Sequence, residues 1–434
     1  MRFPVPSETF ACTDVRVLQE AGVEVSVHTL RPPCSDAAAM LTQRGLSDLF
    51  VSQGTVAANL VGALACLRRP LLTLQLLLWI KHVTGTRSAL LAADPDAVLD
   101  SQERARNSTL VQLLVSLALV PRSMAIFGTL EREQPDVVHL FWGHYPSLVG
   151  YLVHERLPRS VLSIFLGAHD VTRRFGGSAW IAQRAELVST HARCNFPAIE
   201  ALGVSSERIH LAYRGIERAR FAAKPAKTPY RIVCAGRLDE HKGMDDALRV
   251  FSIVLAQWPQ ATLVVIGDGD MRARLVRLSE SLGVSHAVTF LGHIPHDGVA
   301  EQFGAAEVFL FMSREDSERL PNVVKEAMAS ECICVVTETL GISELVPDQR
   351  HGFVVPQGDA NGAAAVIDDV FSGRVPVQEV RAAALAHVAA RFDVALTMRS
   401  YVEQWRRALL RRTYPLPASS ASRSPMTTPE IPTT

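Results

Sequence analysis

Between residues 230 and 355 the chain keeps one rhythm. A short run of consecutive apolar residues reaches a turn, and a stretch with helical periodicity follows. The runs are Tyr230–Ala235, Ala261–Ile266, Val288–Leu291, Val308–Ser313, Ile333–Thr337 and Gly352–Val355. Unbroken apolar runs of this length fit strands buried on both faces of a parallel sheet. The stretch after Lys242-Gly243, through Val254, and the one from about Met271 to Leu282 fit helices. Such alternation predicts an α/β, doubly wound domain, and ligands of such sheets bind beyond the C-terminal strand ends.

The amino-terminal half predicts a second α/β domain with a helical insertion. A helix is expected from about Ala11 to Glu20 and an alternating strand from Val23 to Leu30. Strands that end in glycine turns are expected at Asp136–Leu140 and Arg159–Phe165. Residues 36–128 read as largely helical, with loops near Gly85 and Asp94-Pro95. Leu71–Ile80 and Leu110–Val120 are the most apolar stretches, bounded by Pro70, Lys81 and Pro121. Each falls short of the roughly 20 residues that cross a bilayer, so both read as buried helices. Leu64 to His82 mixes apolar with basic residues, which suits a core-facing helix pair or a segment on an anionic membrane surface. The expected division is 1–221, a linker at 222–228 that opens a second domain to 390, a helix over 391–412 and a disordered Pro/Ser/Thr-rich tail from 413.

Candidate chemistry lies at the strand ends. Eight positions separate Glu318 from Glu326, and Pro321 between them suits the first position of a helix. Free N–H groups from about Asn322 to Val324 would hold an anion there. A carboxylate repels phosphate but accepts hydrogen bonds from hydroxyls. The implied ligand has hydroxyls at both ends and phosphate in the middle, as a nucleotide-sugar does; the plain alternative is a solvated helix start. After Tyr230–Ala235 come Gly236-Arg237-Leu238 and then Lys242-Gly243. Arg237 offers a fixed fork of donors and Lys242 a mobile point charge, together enough to offset a diphosphate.

These residues resemble the donor-site signature of the retaining GT-B glycosyltransferases, in particular glycosyltransferase family 4. The resemblance is strongest from Tyr230 to Asp359 and weaker from Phe3 to Glu217. It implies two Rossmann-like domains facing across a cleft, with the last helix crossing back to the first domain. It implies that Glu318 meets the transferred sugar, Glu326 the ribose, and Arg237 and Lys242 the diphosphate. Gly236, Leu320, Pro321, Asn322 and Val323 would line the donor site, and Gly292, His293 and Ile294 would cradle the base. Family members have Gly after the first Glu, where this chain has Arg319, and a His-Gly-x-Asp where it has Leu166-Gly167-Ala168-His169-Asp170. His169 is then the catalytic candidate, with Asp170, His144, Ser7 and Glu8 on the acceptor side. The opening Phe3-Pro4-Val5-Pro6-Ser7-Glu8-Thr9-Phe10, proline followed by Ser-Glu-Thr-Phe, resembles exopolysaccharide and lipopolysaccharide glycosyltransferases, in which a full apolar strand precedes the proline. Met1-Arg2-Phe3 implies a very short first strand or a start further upstream.

Composition narrows the picture a little. The 434 residues carry 44 basic and 44 acidic side chains, which gives no reason to expect nucleic acid. Seven scattered cysteines read as reduced thiols of a cytoplasmic protein, and the first ten residues hold no apolar run suited to a signal peptide. No Asp-x-Asp metal motif stands out in a donor-site context, so neither metal nor cofactor is expected; the nucleotide-sugar is a co-substrate. The expected partners are that donor and a sugar or lipid-linked saccharide acceptor, with peripheral contact at the inner membrane face. A hexosyltransferase-type enzyme of surface polysaccharide or glycolipid synthesis is the main reading. A phosphorylase or nucleotide-sugar hydrolase on the same fold, and a non-catalytic nucleotide-sugar-binding scaffold, remain alternatives.

Overall fold

The amino-terminal half begins with helix α1 (Thr9–Glu20), whose apolar side turns inward. This computed structural model describes residues 2–5, 9–92, 108–172, 175–222, 226–314 and 318–413. Strand β1 (Ser26–His28), helix α2 (Ala37–Gln43) and strand β2 (Phe50–Ser52) follow, and β1 and β2 pair in parallel. Among the described residues no strand precedes α1; Phe3 instead packs with Cys12 and Leu46. The sheet expected around a short first strand is accordingly divided, because β1–β2 stands apart from the four strands described next.

Three long helices form the insertion. Thr55 caps α3 (Val56–Arg68) by accepting the Ala58 N–H, and Pro70 begins α4 (Pro70–Ala92), turned by 105° from α3. Gly85 lies inside α4 rather than in the expected loop, while Asp94-Pro95 falls outside the described residues. Helix α5 (Thr109–Glu133), capped by Ser108, continues through Pro121 instead of stopping there. Gly62 makes the crossing of α3 and α5 close, since a Cβ there would lie 1.8 Å from the Pro121 carbonyl oxygen. The expectation of buried helices holds for one face only. Leu72, Leu76, Met124 and Phe127 enter the core, whereas Leu74, Leu78, Leu110 and Leu114 face outward.

Beyond the insertion come β3 (Val137–Leu140), α6 (Ser147–Arg156), β4 (Val161–Phe165), α7 (Ala168–Thr172) and α8 (Gly176–Arg184). β5 (Leu187–Thr190), α9 (Phe196–Glu200) and β6 (Ile209–Leu211) complete this unit. The sheet is parallel in the order β3-β4-β5-β6. Neither β2, β5 nor β6 was anticipated; each is only three or four residues long.

The carboxyl-terminal half follows the predicted rhythm. Its elements are β7 (Arg231–Ala235), α10 (Met244–Gln257), β8 (Thr262–Ile266), α11 (Arg272–Ser281), β9 (Val288–Gly292) and α12 (His296–Ala305). They continue with β10 (Val308–Phe311), α13 (Asn322–Ala329), β11 (Ile333–Thr337), α14 (Ile342–Leu345), β12 (Phe353–Val355), α15 (Ala360–Phe371) and α16 (Val377–Arg391). The six strands are parallel in the order β12-β11-β10-β7-β8-β9. The order therefore reverses between β7 and β10, where a crevice opens at the C-terminal strand ends.

The last helix, α17 (Val394–Thr413), returns to the first unit. Met398 and Tyr401 join Leu18 and Leu187 in one apolar cluster. The Tyr401 hydroxyl donates to Ser189 Oγ at 2.9 Å and the Trp405 indole N–H to Ser163 Oγ at 3.0 Å. At the crossing, Ile216 N–H donates to the Phe392 carbonyl at 2.8 Å and Val394 N–H to the Ile216 carbonyl at 3.2 Å. The two connections between the halves thus lie side by side.

Candidate functional site

The crevice between β7 and β10 gathers most of the predicted donor residues. After β7 the chain passes Gly236 and Arg237 into a short turn over Glu240–Lys242. Asp239 fixes that turn by accepting the N–H groups of His241 and Lys242, each at 3.2 Å. Gly243 follows with φ of 62°, and a Cβ on it would lie 1.8 Å from the Met312 carbonyl oxygen. Only glycine lets this turn close onto the end of β10. Arg314, just past β10, donates to Asp245 at 2.9 Å and Asp246 at 2.8 Å at the start of α10. The two loops are therefore bound to each other, and Lys242 forms an ion pair with Glu318.

Pro321 caps α13 from outside rather than opening it, so Asn322 is the first helical residue. The N–H groups of Asn322 and Val323 precede the hydrogen-bond ladder of α13, whereas that of Val324, the third expected to be free, already donates to the Pro321 carbonyl at 3.2 Å because the first turn tightens there. Leu320 and Pro321 are buried, and Val323 and Ile294 pack on the same core cluster. Gly292 ends β9 with φ of 70°, and His293 beside it is exposed. Glu326, a turn further along α13, meets His296 Nε2 at 3.0 Å. This contact links the helix to the segment that holds Gly292, His293 and Ile294.

Arg237 stands apart from this grouping. Its guanidinium pairs with Asp239 at 3.2 Å and its side chain is 72% exposed. It lies just past the C-terminal end of β7, and its ion pair is with Asp239 rather than with either glutamate.

In the amino-terminal unit, Asp170 is fully buried and organises the ends of β3 and β4. Its carboxylate accepts the N–H groups of Gly143 at 3.1 Å, His144 at 3.2 Å and Gly167 at 3.2 Å. It also meets His144 Nδ1 at 2.9 Å, which leaves Nε2 as the outward atom of that ring. His169 is exposed, with its ring 5.7 Å from that of His144. Ligand atoms of His144, His169 and Asp170 lie within 4.8 Å of one another. With four donors already on the Asp170 carboxylate, this trio fits a hydrogen-bonded array better than a cation site. A cavity of ≈ 30 Å³ beside His144 is lined by Trp79 and Val83 of α4 and Gln112 of α5. Ser7 and Glu8 lie outside the described residues.

Sequence reasoning missed the residues that join the two halves. Arg319, the residue in the usual glycine place, is buried and donates from Nε to Asn195 Oδ1 at 3.1 Å. Glu344 accepts the N–H groups of Arg193 and Cys194, each at 2.9 Å, and the Tyr213 hydroxyl at 3.0 Å. Lys325 is fully buried and donates to the Arg214 carbonyl at 2.9 Å and Asn322 Oδ1 at 3.0 Å. Burial, with the Arg214 charge nearby, pushes Lys325 down to about 7. The Arg214 guanidinium lies over the Phe10 ring at 3.9 Å and the Phe165 ring at 5.0 Å. Asp14 is buried near Arg214 and Lys325, and desolvation raises it to about 6. Two signals were legible, Arg319 in the usual glycine place and a lysine inside an apolar helical face; the others needed three-dimensional neighbours.

Residues 215–385 match the family described as glycosyl transferases group 1. The amylovoran biosynthesis glycosyltransferase AmsK of Erwinia amylovora is 30% identical over 289 residues, 62% of this chain and 70% of AmsK. Among solved structures, a glycosyltransferase from Rickettsia africae ESF-5 superposes with a TM-score of 0.62 at 14% identity, covering 94% of this chain and 97% of that one. Anabaena Alr3699/HepE, solved in complex with UDP, gives a TM-score of 0.58 at 20% identity over 67% of this chain and 83% of that one. The two parallel-sheet units are those of the GT-B fold.

Proposed function

The chain belongs to the group 1 glycosyl transferases, and from that premise we propose that it is a retaining, metal-independent hexosyltransferase of glycosyltransferase family 4. Its donor is a nucleoside-diphosphate sugar and its acceptor a hydroxyl of a surface polysaccharide or glycolipid precursor. One observation carries the reading: Lys242, Glu318 and the start of α13 converge at the point where the strand order of the second sheet reverses. The ammonium and the helix N–H groups suit the diphosphate, and Glu318 suits the sugar hydroxyls. Glu326, beside His296, suits the ribose.

In the reaction, the bond from the anomeric carbon to the β-phosphate oxygen breaks and a bond to the acceptor oxygen forms on the same face. The acceptor proton passes to the departing phosphate oxygen. Negative charge grows on the diphosphate as this happens, and preorganised cationic and N–H groups lower its energy. Arg237, exposed at the same strand end, is the second cation available to the diphosphate on closure. On the opposite wall His144, oriented by Asp170, offers Nε2 to the acceptor, and His169 stands beside it.

A thermal-shift screen of the full chain against UDP-, GDP- and ADP-sugars tests the donor site. One nucleotide class should raise the melting midpoint by several degrees at saturating concentration. Release of nucleoside diphosphate should then depend on a lipid-linked saccharide acceptor. Release that is equally fast without acceptor identifies a hydrolase, and binding without turnover identifies a scaffold.

A further inference from the structure

Three helix faces in the first unit are apolar and open to solvent. On α3 the exposed positions are Leu60, Leu64 and Leu67; on α4 they are Leu71, Leu74 and Leu78. On α5 they are Leu110, Leu114 and Leu117. Each set repeats at intervals of three and four, so each is one stripe of one helix. The opposite stripes, with Leu76, Trp79 and Val120, fill the core. Single exposed leucines need no explanation, but nine in register on three packed helices do.

Charge tells what covers them. No Asp or Glu occurs from Leu49 to Ala92, nor from Ser108 to Leu130. Arg68 and Lys81 are exposed beside the stripes. At the bend between α3 and α4 a cavity of ≈ 370 Å³ is lined by Arg68, Arg69 and Arg156 above Leu71 and Phe127, with Glu131 paired to Arg69. We propose that this face of α3, α4 and the first half of α5 docks on an anionic lipid bilayer, with lipid phosphates at the α3–α4 bend and the leucines in the acyl boundary. A second copy of the chain fits less well, because a two-fold contact would set this basic, acid-free surface against another like itself.

The helices lie on such a surface rather than cross it. α5 is long and apolar enough to span, yet Met124, Phe127 and Leu130 in its second half are core residues. Arg122 in its middle is buried and donates to the Thr29 carbonyl at 2.8 Å and the Ser52 carbonyl at 2.7 Å. The cavity beside His144 is walled by these same helices, α4 and α5. Docking would therefore place the acceptor side of the cleft at the lipid boundary, a purpose that rests on the transferase reading although the contact itself does not.

Flotation of the full chain with phosphatidylcholine vesicles, with and without phosphatidylglycerol, tests the proposal. Binding should be at least about tenfold tighter with the anionic lipid and should weaken with salt. The double substitution Leu67→Glu, Leu71→Glu should abolish flotation, and Arg68→Ser or Lys81→Ser should each cost about fivefold. All are exposed positions, and an unchanged nucleotide-dependent melting shift would show that the variants fold. Absent flotation, equal binding to neutral vesicles, or a concentration-dependent dimer lost in the leucine variant would each overturn the proposal. Flotation without any nucleotide response would instead sink the transferase reading and leave this one standing.

Discussion

The Lys242 ammonium rests on the Glu318 carboxylate, joining the loop after β7 to the segment before α13. Both side chains are mostly buried, at 14% and 17% exposure, and the pair holds the two walls of the crevice together. A diphosphate entering there competes with Glu318 for the same cation. Lys242→Ala should therefore lower kcat/KM by about 10²–10³, the effect of losing one preorganised charge-stabilising donor. Near-normal turnover in that variant, with an unchanged melting midpoint, would remove Lys242 from the donor site.

Glu326 should act on binding more than on turnover. Its replacement by Ala removes the acceptor proposed for the ribose hydroxyls, at a cost of about 10–100-fold in donor affinity. Calorimetric titration with the cognate nucleotide measures this directly. His296→Gln separates the roles: it keeps a donor near Glu326 and should cost far less. Equal losses in both variants would mean that the His296 contact, not the ribose, is what Glu326 serves.

Lys325 gives the stability profile a readable slope. Its folded value lies at about 7 against an ordinary 10.5, because burial and then Arg214 disfavour the ammonium. Between those values the unfolded chain holds a proton that the folded chain does not, so stability rises with pH across that window. Below about pH 7 both states are protonated and the full cost of burying the charge is present. Lys325→Met removes this linkage, worth at most ~1.4 kcal/mol per pH unit. The gap in melting midpoint between variant and native protein should shift steadily in favour of the native chain from pH 7 toward 10.5. A gap that stays constant with pH would show that the amine keeps its proton when buried.

EDTA should leave transfer unchanged, because the phosphate charge is met by Lys242 and helix N–H groups in this mechanism. His144→Ala should reduce turnover by about 10–100-fold, the scale of one lost polar contact to the acceptor. Activity lost in EDTA and restored by Mg²⁺ or Mn²⁺ would overturn both the mechanism and the reading of His144, His169 and Asp170 as a hydrogen-bonded array.

The second half was legible because its central strands β8, β7, β10 and β11 are buried almost throughout. Val308–Phe311 and Ile333–Thr337 show as unbroken apolar runs, and helix and strand periods do not compete there. The motif at Glu318 to Glu326 was legible for a related reason: Pro321 and Gly243 answer local backbone demands that any chain must meet at those turns. In the first half β2, β5 and β6 went unseen because Phe50–Ser52, Leu187–Thr190 and Ile209–Leu211 mix apolar with polar residues and show no unbroken apolar run. Pro121 misled because a proline usually ends a helix, whereas here packing against Gly62 carries α5 through it. The Arg319–Asn195 and Glu344–Cys194 contacts join residues more than a hundred positions apart, beyond the reach of any local pattern.

Ile216 and Val394 lie on the two segments that cross between the halves, and backbone hydrogen bonds rivet them into a miniature ladder. A body hung on two such adjacent ribbons has lost most of its freedom to twist or slide. It can still fold like a book about its spine. Whatever motion admits the donor should therefore be a rotation about a single axis close to this ladder, with its largest displacement at the far edges of the cleft.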